Sequence, residues 1–447
     1  MSRRHFILSP KGPGSMLAPG LSFLLETDEG TAALALAEKL VQGGGGGKNQ
    51  SKIALIVSRK TGVSVPVSAF AVGLTILRRR AEKKFSPLVL DSSGMVFDCE
   101  GLEMASNPVV SLYRAKSFDE FGTVLDLCSG VGIDSIMLAS RSGSGDTREV
   151  IGVDSSPERV FMACWNGGHC GLNILEGAIK FVEADALDDA FLSSIKADAV
   201  FADPGRRDGT SRTVILSGTR PPTDVLARKV RNKVSENLCI KSAPGVSRVE
   251  PLLSECVSEF ISLDGELREC ALWFGAFMER KKQEAGARIA TALPTECSIS
   301  SSDEVSDSIS ASIGAFILEP DPSVIRAGLV QHLAARTSAS RIDEKIAYLT
   351  CEKEPEDSSR SGGLFKPFRV VDDFPFSLSE VKTRVREFSP KVLVVKKRGS
   401  AVEVESFRKR IMASIKPKED ALGELIIFLT RNAGKPWAIA AERITCN

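Results

Sequence analysis

Apolar positions between residues 21 and 41 recur at helical spacing and stop at the glycine run Gly43 to Gly47, which predicts one helix followed by a flexible insert. A second apolar block, Ile53 to Ile76, leads into the basic run "LRRRAEKKF" (Leu77 to Phe85), again at helical spacing. Residues 1–115 are therefore expected to form a helical N-terminal region. From about residue 120 the pattern changes to short apolar runs, "TVLDL", "EVIGVD", "IKFVEAD", "DAVFADP", "NLCIKSAP" and "CALWFGAF", with helical stretches between most of them. Apolar strands alternating with helices imply an α/β domain over 116–295, built on a doubly wound, mainly parallel sheet covered on both faces. Ligands of such a sheet sit at the carboxyl ends of its strands, where Asp126, Asp154, Asp185 and Asp203 all fall.

The serine- and acid-rich "ECSISSSDEVSDSISAS" (Glu296 to Ser312) lacks core residues and predicts a flexible linker over 296–314. Beyond it, 315–447 is expected to be a small α+β domain. It offers a helix from Asp321 to Ala335, with Asp321 capping ahead of Pro322, then strand-like "KVLVVKKRG", a helix from Val404 to Ala413, and strands "ELIIFLTR" and "PWAIAAER".

Composition adds little to this division of 447 residues but narrows the chemistry. The 58 basic and 57 acidic residues balance, so attraction to nucleic acid must come from local patches. Two basic clusters stand out, Arg78 to Lys84 and residues 391–418. The hydrophobic fraction of 43% comes without an apolar run long enough for a membrane span, so no membrane association is expected. Ten scattered cysteines without a CxxC pair, and only His5, His169 and His332, argue against a metal site and for a reducing compartment. Arg3, Arg4, His5 and Lys11 precede any acid and faintly resemble a transit peptide, but the cytoplasm is the expected location.

"VLDLCSGVGIDS" (Val124 to Ser135) runs a strand into a turn with Gly130 and Gly132 and then a helix, so backbone can approach a ligand closely there. A dinucleotide fingerprint would place a third glycine where Ser135 stands, which disfavours a pyrophosphate cofactor and with it a nucleotide-dependent oxidoreductase. Asp154, at the end of the next strand, suits a ribose. Asp185 follows on the third strand, where an adenine amino group would lie, and "FADPGRRDG" brings Asp203 and Pro204 on the fourth. Any one acid reads equally well as a solvated loop residue or a helix cap; four at successive strand ends are harder to dismiss.

As a set these residues resemble the class I S-adenosylmethionine-dependent methyltransferases, over about residues 100 to 280. "GLEMASNPVVSLYRAKSF", "DGELRECALWFG", "LEPDPSVIRAGLV", "VVKKRG" and "LTRNAGKPWAI" extend the likeness to bacterial methyltransferases with a THUMP-like C-terminal domain. The resemblance implies S-adenosylmethionine as cofactor, held by Asp126, Cys128, Gly130, Gly132, Asp154 and Asp185, with Asp203 and Pro204 on the acceptor side as the catalytic pair. It also implies an RNA-binding appendage and hence RNA as partner. Amino methyltransferases of the family follow the fourth-strand acid with two prolines and an aromatic, whereas Gly205 and Arg206 stand here. Stacking is then left to an arginine plane or to Trp165, Trp273 or Trp437. Arg206, Arg207, Lys396, Lys397 and Arg398 are the expected substrate contacts, to RNA phosphate or guanine, against the alternatives that the first two pair with nearby carboxylates and that the last three simply end an exposed strand. The turn is also similar to that of trimethylguanosine-type enzymes, which points to a base amino group such as guanine N2. A methyltransferase acting on a small molecule and a catalytically silent RNA-binding protein are the competing expectations.

Overall fold

The structure, a computed structural model, describes residues 17–45, 49–85, 89–140, 148–172, 178–205, 207–208, 211–212, 214–355, 363–413 and 423–444. The chain divides into two compact units, Met1–Gly205 with Arg228–Ser235, and Arg206–Ala227 with Glu236–Asn447.

The first unit opens with helices α1 (Leu17–Glu26), α2 (Asp28–Leu40), α3 (Gln50–Thr61), α4 (Val65–Lys84), α5 (Cys99–Met104) and α6 (Pro108–Ala115). The single helix expected over 21–41 is two, because Thr27 takes extended backbone and its hydroxyl caps Gly30 N–H at 3.0 Å. A Cβ at Gly30 would lie 2.1 Å from the Phe23 carbonyl oxygen, so only glycine permits this elbow. Three cations of the basic run of α4 are structural, while Arg80 and Lys83 stay exposed. Arg78 is buried, donating to the Met95 carbonyl at 2.8 Å, the Gly94 carbonyl at 3.1 Å and Glu38 at 3.0 Å. Arg79 and Lys84 likewise reach the carbonyls of Val41 and Leu102.

Then come β1 (Thr123–Leu127), α7 (Ile133–Ala139), β2 (Glu149–Asp154), α8 (Pro157–His169), β3 (Ile179–Glu183), α9 (Asp189–Ser194) and β4 (Ala199–Ala202). The strands are parallel in the order β4-β1-β2-β3. β1 and β4 are buried almost throughout, which is why they read as unbroken apolar runs. Their carboxyl ends lie at one edge, carrying the acids of the expected site.

The second unit contains the two-residue pair β5 (Arg207–Asp208) and β6 (Ser211–Arg212), and the chain passes through α10 (Thr223–Lys233) to β7 (Leu238–Ser242), β8 (Val257–Leu263), β9 (Glu266–Trp273), α11 (Ala276–Arg280), β10 (Arg288–Leu293) and β11 (Cys297–Ser300). The order is β11-β10-β8-β9-β7, with β9 antiparallel to both neighbours and β10 parallel to β8. β8 and β9 turn at Asp264 and Gly265, both left-handed, the Asp-Gly signature of a tight hairpin. β11 pairs antiparallel with β10 from inside the expected linker, a correction. Serine and cysteine suit an edge strand, and the alternation Ser298 out, Ile299 in was too short to stand out against the acidic stretch after it.

The last sheet follows β12 (Phe316–Pro320), α12 (Pro322–Ala327), α13 (Val330–Arg336), β13 (Ser340–Asp343), β14 (Ile346–Cys351), β15 (Phe365–Pro375), α14 (Leu378–Phe388), β16 (Val392–Lys397), α15 (Val404–Met412), β17 (Glu424–Asn432) and β18 (Lys435–Arg443). Asp321 caps Ser323 N–H at 2.8 Å as expected, but left-handed Gly328 breaks the helix expected from 321 to 335. The sheet runs β13-β14-β12-β15-β18-β17-β16, antiparallel except where α15 returns the chain from β16 to β17. Alternate residues of β17 feed two cores: Leu425, Ile427 and Leu429 face Val381, Val385, Phe407 and Ile411 of the helices, while Ile426 and Phe428 pack with Ile317, Tyr348 and Phe368.

Candidate active site

Leaving β1, the chain takes left-handed backbone three times in five residues, at Cys128 (φ 62°), Gly130 (φ 56°) and Gly132 (φ 87°). The two glycines serve different ends. A Cβ at Gly132 would stand 3.0 Å from Ala163 Cβ and 3.2 Å from the Phe181 ring, so packing of α8 and β3 demands glycine there. At Gly130 nothing lies within 4 Å, leaving bare backbone facing open space. Ser129 N–H on the Val153 carbonyl at 2.9 Å ties the turn to β2.

Asp154 closes that link. Its Oδ2 accepts Gly130 N–H at 2.9 Å and its Oδ1 accepts Ser156 N–H at 3.0 Å, with only 8% of the residue exposed. One lone pair on each oxygen is engaged and the others stay available. Asp185 is exposed and turned by its own Leu187 N–H at 2.8 Å, while Ala184 N–H on the Asp154 carbonyl at 3.1 Å holds the two strand ends together. Asp203 N–H bonds the Leu127 carbonyl at 3.1 Å; its side chain is half-buried and Pro204 is buried.

Asp126 lies beneath the turn and is fully buried, accepting from the Ser135 hydroxyl. Its other oxygen has no partner, and burial, then the charges of Asp134 and Asp203, push its pKa well above the usual carboxylate range. The half-buried Cys128 thiol is pushed up too, by desolvation and then by Asp154, Asp203, Asp126 and Asp185.

Two supports escaped the sequence reading. Asp134, in the first turn of α7, accepts from Ser106 at 2.6 Å, from Ser111, and from buried Arg114 at 2.5 Å; that guanidinium stacks 4.5 Å from the Phe201 ring centre. Asn166 is buried, exchanging bonds with Val96 at 2.7 and 3.0 Å and donating to the Val131 carbonyl at 2.9 Å. The polar residues inside "SNPVVSLYR" were the available signal for the first; nothing in sequence marks Asn166.

The expected substrate contacts separate. Arg206 lies outside the described residues, as does the side chain of Arg207, which begins β5. Lys396 and Arg398 turn to Glu319, the latter at 3.9 Å and over the Tyr348 ring, and Lys397 donates to the Val402 carbonyl at 2.8 Å. Trp273 is core: buried, it donates to Glu259 at 2.9 Å under the Lys281 ammonium, so it stacks on no base. Trp165 and Trp437 have their indole N–H on the Gly94 carbonyl and Asp373. Lys409 and Arg410 of α15 remain exposed. Among the described residues no group of three or more His, Cys, Asp or Glu is placed to hold a metal, and no helix is long and apolar enough to cross a membrane.

A bare glycine turn beside a fixed, half-satisfied carboxylate fits the amino acid and ribose ends of S-adenosylmethionine. Comparison with known proteins agrees. Residues 365–443 match the THUMP domain-like family. An uncharacterized S-adenosylmethionine-dependent methyltransferase of Mycobacterium tuberculosis, found in strains CDC 1551 and H37Rv, is 27% identical over 355 residues, spanning 76% of this chain and 88% of the relative. A crystal structure from Porphyromonas gingivalis W83, described as that of a methyltransferase, shares the fold with a TM-score of 0.70 at 18% identity, covering 93% of this chain and 99% of its own. Over most of its length the chain is thus similar to S-adenosylmethionine-dependent methyltransferases, whose activity, cofactor and fold it shares, and it carries a THUMP-like domain at its C-terminus.

Proposed function

We propose that the protein methylates RNA, at a base amino group such as guanine N2. The observation that carries the site assignment is the Asp154 carboxylate, held by two backbone N–H groups with lone pairs to spare for two ribose hydroxyls. The open face at Gly130 takes the methionine end and Asp185 the adenine side. Bound there, the cofactor supplies an electrophilic methyl group on a sulfonium. The chain's task is alignment of the acceptor and management of its proton. Asp203, on the strand next to the glycine turn, accepts a hydrogen bond from the acceptor N–H, and Pro204 stiffens the backbone behind it.

Support for RNA comes from the THUMP-like domain and from the exposed cations Lys409 and Arg410 on its helix α15. Division of labour follows as 1–115 helical, 116–295 catalytic and 315–447 RNA-binding. The test is transfer of labelled methyl to RNA from cells lacking the gene, followed by nucleoside analysis. A single methylated nucleoside, absent with Asp203→Ala, is expected. Label in small molecules but in no RNA class would redirect the reading to a small-molecule acceptor, and no label with retained RNA binding would make the protein a silent binder.

A further inference from the structure

Three arginines of the second unit meet where the loop after β7 approaches the elbow between α12 and α13. α12 packs on β8 and β10, and its Arg326 is spent on backbone: Nε on the Pro244 carbonyl at 2.8 Å, and Nη2 on the carbonyls of Gly245 and Val246, both at 2.5 Å. That clamp fixes the loop that carries Arg248. The exposed Arg248 guanidinium lies on Gly328, the left-handed C-cap of α12, so closely that a Cβ there would fall 1.9 Å from Nη1. Arg288 opens β10, half-buried, its own N–H on Ser301 Oγ at 2.9 Å. Its Nε is buried with no acceptor.

Among the described residues neither Arg248 nor Arg288 has a carboxylate partner. Ser301, whose hydroxyl accepts the Arg288 N–H, has its carbonyl 3.3 Å from His332 Nε2 in α13, the helix after Gly328, so Arg288 begins its strand beside the elbow on which Arg248 lies, and burial and then Arg248 lower its pKa. Like charges beside an orphaned donor are costly unless an anion joins them. Each guanidinium presents a planar fork suited to two oxygens of one tetrahedral anion.

We propose that Arg248 and Arg288 form a phosphate site that grips a backbone phosphate of the RNA acceptor. Arg326 is a positioning residue that holds the loop. The source of the phosphate rests on the RNA reading, whereas the chemistry of the site does not.

The full chain is titrated calorimetrically with inorganic phosphate, with S-adenosylmethionine, and with a short single-stranded RNA at several salt concentrations. The Arg248→Gln/Arg288→Gln variant should lose phosphate binding, and its slope of log K against log salt should fall by about 0.7, the share of the one phosphate that the pair neutralises. Cofactor affinity should not change. Should the double variant fail to fold, Arg248→Gln alone, at an exposed position, reads half of that slope change, and Arg288→Lys keeps the charge but loses the fork. Wild type that binds phosphate but no RNA keeps the site and overturns the RNA source. Phosphate binding and an RNA salt slope equal to wild type in the variants, or no phosphate binding by wild type, overturns the site.

Discussion

Gly130 and Asp154 share a hydrogen bond of 2.9 Å that joins the turn after β1 to the end of β2. One carboxylate therefore sets the shape of the turn and the position of its own free lone pairs. Asp154→Ala should remove both, weakening S-adenosylmethionine by about 2–3 kcal/mol, or 30- to 150-fold, the scale of lost charge-assisted hydrogen bonds. Calorimetry showing affinity within twofold of wild type would sink the ribose assignment.

The glycines of the turn should separate fold from function. Gly132→Ala meets Ala163 and Phe181 and pays for left-handed backbone as well, so a loss of about 2 kcal/mol or more is expected, read as a lower melting temperature. Gly130→Ala meets nothing and should cost only about 1 kcal/mol, yet its methyl enters the ligand face. Cofactor affinity should drop at least about tenfold, a scale set by displacing close backbone contact. Equal effects of the two variants on melting and on binding would contradict this division.

Asp126 gives the first unit a pH signature. With its folded pKa raised, the folded state holds a proton that the unfolded chain has released, so stability contributed by this group is full below about pH 4 and is lost as pH rises toward the raised value. Asp126→Asn, whose amide oxygen still accepts from Ser135, should be more stable than wild type at pH 7, with an advantage that shrinks to nothing near pH 4. Its slope is bounded by about 1.4 kcal/mol per pH unit. Melting curves of the two proteins that stay parallel from pH 4 to 8 would refute the protonated state.

On the THUMP-like domain two sets of cations should part. Lys409→Glu with Arg410→Glu should leave melting unchanged while weakening RNA and flattening its salt dependence. Lys396→Ala breaks the pair with half-buried Glu319 and should cost about 1–3 kcal/mol of stability. RNA binding indifferent to the first pair, measured by filter retention across salt, would move the interface elsewhere.

What could be read from sequence was local. "TVLDL" and "EVIGVD" carry both strand and ligand edge, because a parallel strand buried on both faces ends where its apolar run ends. β8 and β10, equally buried, do not stand out in the sequence because Ser258, Glu259, Ser262 and Thr291 interrupt their apolar pattern. Those polar residues are satisfied only in three dimensions: Glu259 takes Trp273 at 2.9 Å, Lys281 at 2.8 Å and Thr291 at 2.6 Å, drawn from three other elements. The same holds for charge. "LRRRAEKKF" and "KKRG" look like phosphate footprints until the carbonyls of Met95 and Gly94 and the carboxylate of Glu319 appear beside them.

The chain leaves its first unit at Gly205 and re-enters it for Arg228–Ser235 before the second resumes at Glu236. In that return Lys229 reaches Asp189 at 2.9 Å and Ser235 reaches the Asp198 carbonyl at 2.7 Å. A ribosome must therefore expose about thirty residues past the last strand of the first unit before that unit has all its parts. The hairpins β8–β9 and β17–β18, by contrast, close on partners adjacent in sequence as they emerge. A gene fragment cut at residue 205 encodes an unfinished first unit, and one cut after residue 235 carries off residues 206–227 of the second, so neither point divides the chain into two complete units.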